Sequence, residues 1–163
     1  MNGVGTAERI YTAPDAGVEM VERSDVEAVA GRGLRGDRYF SDIKTGTFVT
    51  WDADEDRKDG YDLTLIEAEA VEAIEREAGI ELAPGEHRRN VVTRDVALNH
   101  LVGTRFRVGS VVCRGHRLCE PCGYLQDLLG EDVLDALAHR GGLRADVLET
   151  GVIRPGDTVE PLD

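Results

Sequence analysis

The segment H-R-L-C-E-P-C-G-Y-L, residues 116–125, concentrates the side chains best suited to chemistry. It sets Cys119 and Cys122 two residues apart in a turn-prone stretch, with Pro121 directly before the second cysteine. Thiols at C-x-x-C spacing can chelate a metal, cycle to a disulfide, or carry sulfur as a persulfide. Each role needs an accessible thiolate, which nearby cations favour, and Arg114 and Arg117 are candidates for that effect. A structural zinc site expects four ligands; the pair has His116 as a candidate third and no obvious fourth. A thioredoxin-like motif expects a βαβ start ahead of it, whereas this pair falls late in a β-rich chain. One functional cysteine with a helper fits better than a dithiol enzyme. The blandest alternative is two small residues filling a turn. The third cysteine, Cys113, alternates with Val111 in VGSVVC and reads as a buried strand residue.

Two further constellations carry polar groups at suggestive spacing. In G-L-R-G-D-R-Y-F, residues 33–40, the glycines permit close backbone approach, and Arg35 and Arg38 can clamp an anion with Asp37 orienting them. This is neither a phosphate loop, which ends in Gly-Lys-Ser/Thr, nor a dinucleotide fingerprint, which needs a following helix. A tight turn held by an Asp–Arg ion pair is the ordinary alternative. The cluster H-R-R-N, residues 87–90, enters a strand, and by itself reads as a solvated strand end. His100 and His139 read as surface helix residues.

The elements that must position these groups are mostly short strands. Residues 18–22 and 26–30 alternate around Ser24-Asp25, which predicts a hairpin. The glycine-rich loop 31–36 follows, then a strand at 47–51. Residues 63–66 lead into a helix over 67–78, whose apolar face is Ala70, Val71, Ile74 and Ala78, stopped by Gly79. A turn at Pro84-Gly85 precedes a strand at 90–93, and a helical turn at 97–101 ends at Gly103. Strands at 105–108 and 110–114 pivot on Gly109. A second helix over 131–139 turns Val133, Leu134, Leu137 and Ala138 inward and ends at Gly141-Gly142. Strands at 144–149 and 158–160 close the chain around Pro155-Gly156. Glycine-punctuated short strands predict a mainly β, barrel-like sheet with a few helices, since the strand–helix alternation of a doubly wound fold is missing.

Composition narrows the partners. With 32 acidic against 19 basic residues the net charge is −13, which argues against nucleic acid or an anionic membrane surface as main partner. A local basic pocket for a phosphate-bearing ligand stays open. Only Lys44 and Lys58 among the basic residues are lysines; arginine is the better fork for carboxylate and phosphate oxygens. The acidic run at 52–59 (DADEDRKD) reads as a solvated loop. The start of the chain has no basic region followed by an apolar stretch, and no apolar run is long enough to span a bilayer. A cytoplasmic, single-domain protein over residues 1–163 is expected.

Taken in order, these pieces resemble the MOSC domain, named for the C-terminal domain of molybdenum cofactor sulfurase. The resemblance runs through DVEAVAGRGLRGDRYF, LTLIEAEAVEAI, RRNVVTRDVALNHLVGTRFRVGSV, RLCEPC and GGLRADVLETGVIRPGD, covering nearly the whole chain. It implies a β-barrel-centred fold with a functional cysteine in a cleft. By position that residue is Cys122, as a thiolate ligand to molybdenum or a persulfide carrier, with Cys119 as helper. Arg35, Gly36, Asp37 and Arg38 match the family's glycine loop, and Arg89 with Asn90 its R-E-N-like motif; arginine here stands where an acidic residue is commoner. The resemblance implies a molybdopterin cofactor whose phosphate, or another oxyanion, meets Arg35, Arg38 and Arg89. The activity implied is oxidoreductase chemistry, reduction of N-hydroxylated compounds among it, with electrons from a separate reductase. The alternative is a non-catalytic sulfur-transfer module supplied by a sulfur donor, and a third is a zinc-stabilised interaction domain.

Overall fold

Apolar residues on alternate positions, broken by glycine turns, give this chain its strands. The computed structural model describes residues 4–15, 18–40, 60–121, 126 and 133–162; Cys122, the strand expected at 47–51 and the acidic run at 52–59 lie outside them. The strands are β1 (Gly5–Thr12), β2 (Val21–Arg23), β3 (Val26–Val29), β4 (Gly33–Leu34), β5 (Leu63–Glu67), β6 (Val91–Arg94), β7 (Arg105–Val108), β8 (Val111–Leu118), β9 (Leu143–Glu149), β10 (Gly151–Ile153) and β11 (Thr158–Pro161). Helix α1 spans Ala68–Ala78, a 3-10 turn spans Leu98–Leu101, and a single helical turn, α2, spans Val133–Ala136.

The large sheet runs β11-β7-β8-β9-β5-β6-β1, and β11 pairs back onto β1 through Gly5↔Val159, which closes a seven-strand barrel. Strand β2 adds to the outside edge of β1, and β10-β3-β4 form a small second sheet. Neighbouring barrel strands are antiparallel except β5 and β6, which are parallel and joined through α1. Such a pair needs a crossover connection, and a helix is the usual one.

The helix also explains why β5 and β6 are apolar on both faces. Leu63, Leu65 and Val91 point into the barrel with Phe106, Leu143 and Val159. Ile66 and Val92 point outward, where Ile74 of α1, Ile80, Val133 and Leu137 cover them. Buried apolar surface contributes about 25 cal/mol per Å², so each of these strands is anchored twice. Gly79 ends α1 in the left-handed region at φ 70°, as the sequence predicts.

Three expectations need correction. Strands β2 and β3 form but not a hairpin: β2 pairs with β1, while β3 pairs with β10 and β4, so the Ser24-Asp25 turn passes the chain between sheets. In the second helix Val133 and Leu137 are buried, but Leu134 is 37% exposed and Ala138 also faces out. The described helix is a single turn, so its inward stripe is one residue wide, and His139 sits beyond it at φ 63°. Ala78 is exposed as well, because α1 leaves the barrel surface in its last turn.

Candidate functional site

A cleft of about 130 Å³ opens at one end of the barrel, where the end of β1, the loop after β4, the start of β6, the end of β8 and the start of β9 converge. It brings together Asp37, Arg38, Arg89, Asn90 and Cys119, all singled out from the sequence, and adds Thr64, Arg88, Glu120 and Arg144. The glycine loop and the H-R-R-N cluster, far apart in the chain, thus share one wall.

Asp37 is 3% exposed. Its Oδ1 accepts the Ala13 N–H at 3.0 Å and an Asn90 side-chain N–H at 3.3 Å, and Oδ2 accepts the Tyr39 N–H at 3.3 Å. Burial pushes its carboxyl above the usual carboxylate range; the Ala13 and Tyr39 amides, the charge of Arg38 and the Asn90 amide pull the other way without cancelling that. Asn90 knots the wall. It donates to the Tyr11 carbonyl at 3.1 Å and its Oδ1 accepts the Thr64 N–H at 2.9 Å, while its own N–H reaches Thr64 Oγ1 at 3.1 Å. One amide side chain therefore links β1, β5, β6 and the glycine loop.

Arg89 is 7% exposed, and its guanidinium is engaged by backbone. Nε donates to Gly141 O at 2.8 Å, Nη1 to His87 O at 3.2 Å and Nη2 to Cys119 O at 3.0 Å. Cys119 is buried, and its N–H donates to Gly142 O at 2.7 Å. The Gly141-Gly142 pair is what allows this approach: a Cβ on Gly141 would sit 2.5 Å from Cys119 O, and one on Gly142 2.0 Å from Leu65 O. The sequence marks these glycines only as a helix stop; their second role is to let the cysteine segment lie against the barrel. His87 Nδ1 accepts the Arg89 N–H at 2.9 Å, and burial, with Arg89 and Arg88 nearby, pushes its pKa down to about 3. It is neutral, with its proton on Nε2.

Of the other cleft arginines, Arg88 donates to the Val18 carbonyl, and Arg38 and Arg144 rest on aromatic rings. Arg38 lies 4.4 Å from the Tyr39 ring centroid and donates to Tyr39 Oη at 2.8 Å. Arg144 lies 5.0 Å from the Tyr61 centroid. Glu120 faces away from these cations, accepting the His139 N–H at 2.8 Å and pairing with His139 Nδ1 at 3.1 Å.

Two of the sequence candidates are not among the lining residues. Arg35 pairs with Glu27 at 2.7 Å and lies over Phe40, both outside the cleft. Gly36, at φ 92°, turns the loop so that Asp37 points inward. Cys122 lies outside the described residues, among which no cluster of three or more His, Cys, Asp or Glu could hold a metal ion. Arg144 carries only a faint signal in the sequence, a lone arginine on a strand where Leu143, Ala145 and Val147 face the core. Thr64 carries the same signal on β5.

The sequence matches the family model of the MOSC domain over residues 54–160, well over half of the chain. The chain belongs to the MOSC domain family. This family is associated with the molybdenum cofactor. The match begins after the glycine loop, which the fold nonetheless brings to the cleft beside Asn90. No curated protein is matched. Among solved structures, the YuaD protein from Bacillus subtilis superposes with TM-score 0.75 at 18% identity, over 96% of this chain and 94% of that one. YiiM from Geobacillus stearothermophilus gives TM-score 0.68 at 15% identity, over 98% and 75%. YiiM from Escherichia coli gives 0.66 at 17%, over 98% and 70%. At these identities the likeness is one of fold. No described helix is long and apolar enough to cross a membrane.

Proposed function

We propose that this MOSC protein holds a molybdenum cofactor in the cleft and acts as the molybdenum-bearing component of an oxidoreductase, with Cys122 as thiolate ligand to the metal. The observation that carries this reading is a concentration of cations beside the cysteine segment of an acidic chain. Arg38, Arg88, Arg89 and Arg144 line the cleft against Asp37 and Glu120, in a protein of net charge −13. That donor set fits an anionic, phosphate-bearing group. When bound, the cofactor supplies two-electron redox chemistry at molybdenum.

The chain's own part is to bind and to position. Arg89, held by three carbonyls, fixes the backbone at Cys119. Cys122 follows three positions after Cys119 in the sequence, and in this reading its thiolate serves the cleft. Asn90 and Asp37 hold the wall rigid, so that the cleft is formed in advance of a ligand. The substrate class we assign is N-hydroxylated compounds: two electrons and two protons convert N–OH to N–H and water. In this reading the electrons come from a separate reductase.

The test is metal and pterin content of protein purified from a host that makes the cofactor, with Cys122→Ser alongside. Molybdenum and pterin in comparable amounts in the wild type, with molybdenum lost in the variant, is the expected result. Absence of both from the wild type overturns the reading; persulfide on Cys122 in that same protein would establish sulfur transfer instead.

A further inference from the structure

The register of β8 and β9 places Arg117 directly across from Arg144. Like charges in directly opposed positions destabilise a sheet, so this pairing calls for compensation. Both guanidiniums lie over one ring, Tyr61, with centroid distances of 5.7 and 5.0 Å. That ring is in turn 5.6 Å from Tyr39, which carries Arg38. Several other arginines find carboxylates: Arg9 with Glu22, Arg94 with Glu8 and Glu72, Arg140 with Glu77. Among the described residues no ion pair joins Arg117 or Arg144 to a carboxylate; their described side-chain partner is the Tyr61 ring. The aromatic ring restrains the two cations without neutralising them. A stacked guanidinium also keeps its N–H donors in its plane, free for the paired oxygens of an oxyanion.

We propose that Arg117 and Arg144, braced by Tyr61, form an oxyanion seat on the β8–β9 side of the cleft, specific for a phosphate group. Arg144 lines the cleft and Arg117 flanks it on the neighbouring strand. Arg38 adds a third cation through Tyr39. The seat takes over the anion-holding role that the sequence gives to Arg35 and Arg89, whose guanidiniums are held by Glu27 and by backbone carbonyls. The phosphate is that of the cofactor or that of a phosphorylated substrate. Only this choice of source rests on the proposed function; the seat itself does not.

The experiment is calorimetric titration of the cofactor-free protein with inorganic phosphate at fixed ionic strength, together with melting temperatures in phosphate and in chloride. Arg144→Gln and Arg117→Gln are compared with Arg107→Gln, the same charge change on β7 outside the cleft. The wild type and Arg107→Gln should bind phosphate and melt higher in it. Each seat variant should bind about tenfold more weakly or worse, the worth of one charge-assisted hydrogen bond. Relief of the like-charge pair should leave the seat variants at least as heat-stable as the wild type in chloride, so a folding defect cannot imitate the result. No phosphate-specific effect in the wild type, or equal loss in Arg107→Gln, overturns the seat. Repeating the titration on cofactor-loaded protein identifies the source: blocked phosphate binding assigns the seat to the cofactor, retained binding to the substrate. Phosphate binding by a protein that never takes up cofactor would leave the seat standing and remove the proposed function. Cofactor retention without any phosphate effect would do the reverse.

Discussion

On the wall where the glycine loop meets β6, polar side chains are committed to the protein itself. Asp37 accepts three N–H groups, Asn90 bridges β1, β5 and the loop, and Arg89 donates to three carbonyls. On the wall formed by β8 and β9, the guanidiniums of Arg144 and Arg117 lie over the Tyr61 ring and, among the described residues, pair with no carboxylate. Both walls are rich in arginine, yet one builds the cleft and the other waits for a ligand. Residue type does not separate these roles; what each guanidinium already donates to does. A buried polar group with satisfied bonds rigidifies its surroundings, while a braced but unneutralised cation is ready to bind.

The largest effect is expected at Arg89. Replacing it with alanine removes three hydrogen bonds from a charged donor and strands the carbonyls of His87, Cys119 and Gly141 in a buried place. Such bonds are worth about 1.5–3 kcal/mol each and do not add fully, so a loss of about 4 kcal/mol is expected in chemical denaturation. Arg89→Lys should recover only part of it, because an ammonium cannot span three carbonyls. If Arg89→Ala instead folded with unchanged stability and lost phosphate affinity, the contrast between the walls would collapse.

A smaller effect, of the same origin, comes from His87. Its folded pKa of about 3 lies below the ordinary value of about 6.5, so on acidification the unfolded chain takes up a proton first. Stability is therefore fully present above pH 6.5 and falls as the pH drops toward the folded value. Linkage puts the loss at about 2 kcal/mol between pH 6.5 and pH 4.5. Denaturation midpoints of the wild type should show this slope, and His87→Gln, whose amide oxygen can still accept the Arg89 N–H, should be flatter. Equal slopes in the two proteins would mean that His87 is protonated in the fold, and that the hydrogen bond into the Arg89 wall is absent.

The same distinction sets what was legible in the sequence. Strands β5, β6, β7 and β9, the first half of β8 and helix α1 were, because apolar period and glycine stops are local signals; the second half of β8, Gly115–Leu118, falls where the sequence suggests a turn. Strand β1, central to barrel closure, was not: its register shifts between Ala7 and Arg9, and that bulge breaks the alternation that would have revealed it. The partner change at Ser24-Asp25 was hidden too, since a short turn says nothing about which sheet the next strand joins. At the site, the glycine loop and H-R-R-N were visible as motifs, but their meeting through Asp37 and Asn90 is a contact across 53 positions. Arg144 stayed hidden because an arginine on the outer face of a strand is ordinary until Arg117 is found opposite it.

The smallest effect is the sharpest check on the reassignment of roles. Arg35 belongs to the glycine loop by sequence, yet its guanidinium pairs with Glu27 where both side chains are about half exposed. Exposed pairs of this kind contribute little, because solvent screens the attraction and ordering two long side chains opposes it. Arg35→Ala should therefore shift the denaturation midpoint by less than about 0.5 kcal/mol-equivalent and leave phosphate affinity unchanged. Its neighbour Arg38, three residues on, leans on Tyr39 inside the cleft and should respond to phosphate where Arg35 does not. A drop in phosphate affinity for Arg35→Ala comparable to that for Arg144→Gln would return the anion clamp to the glycine loop, and the β8–β9 wall would lose its claim to the ligand.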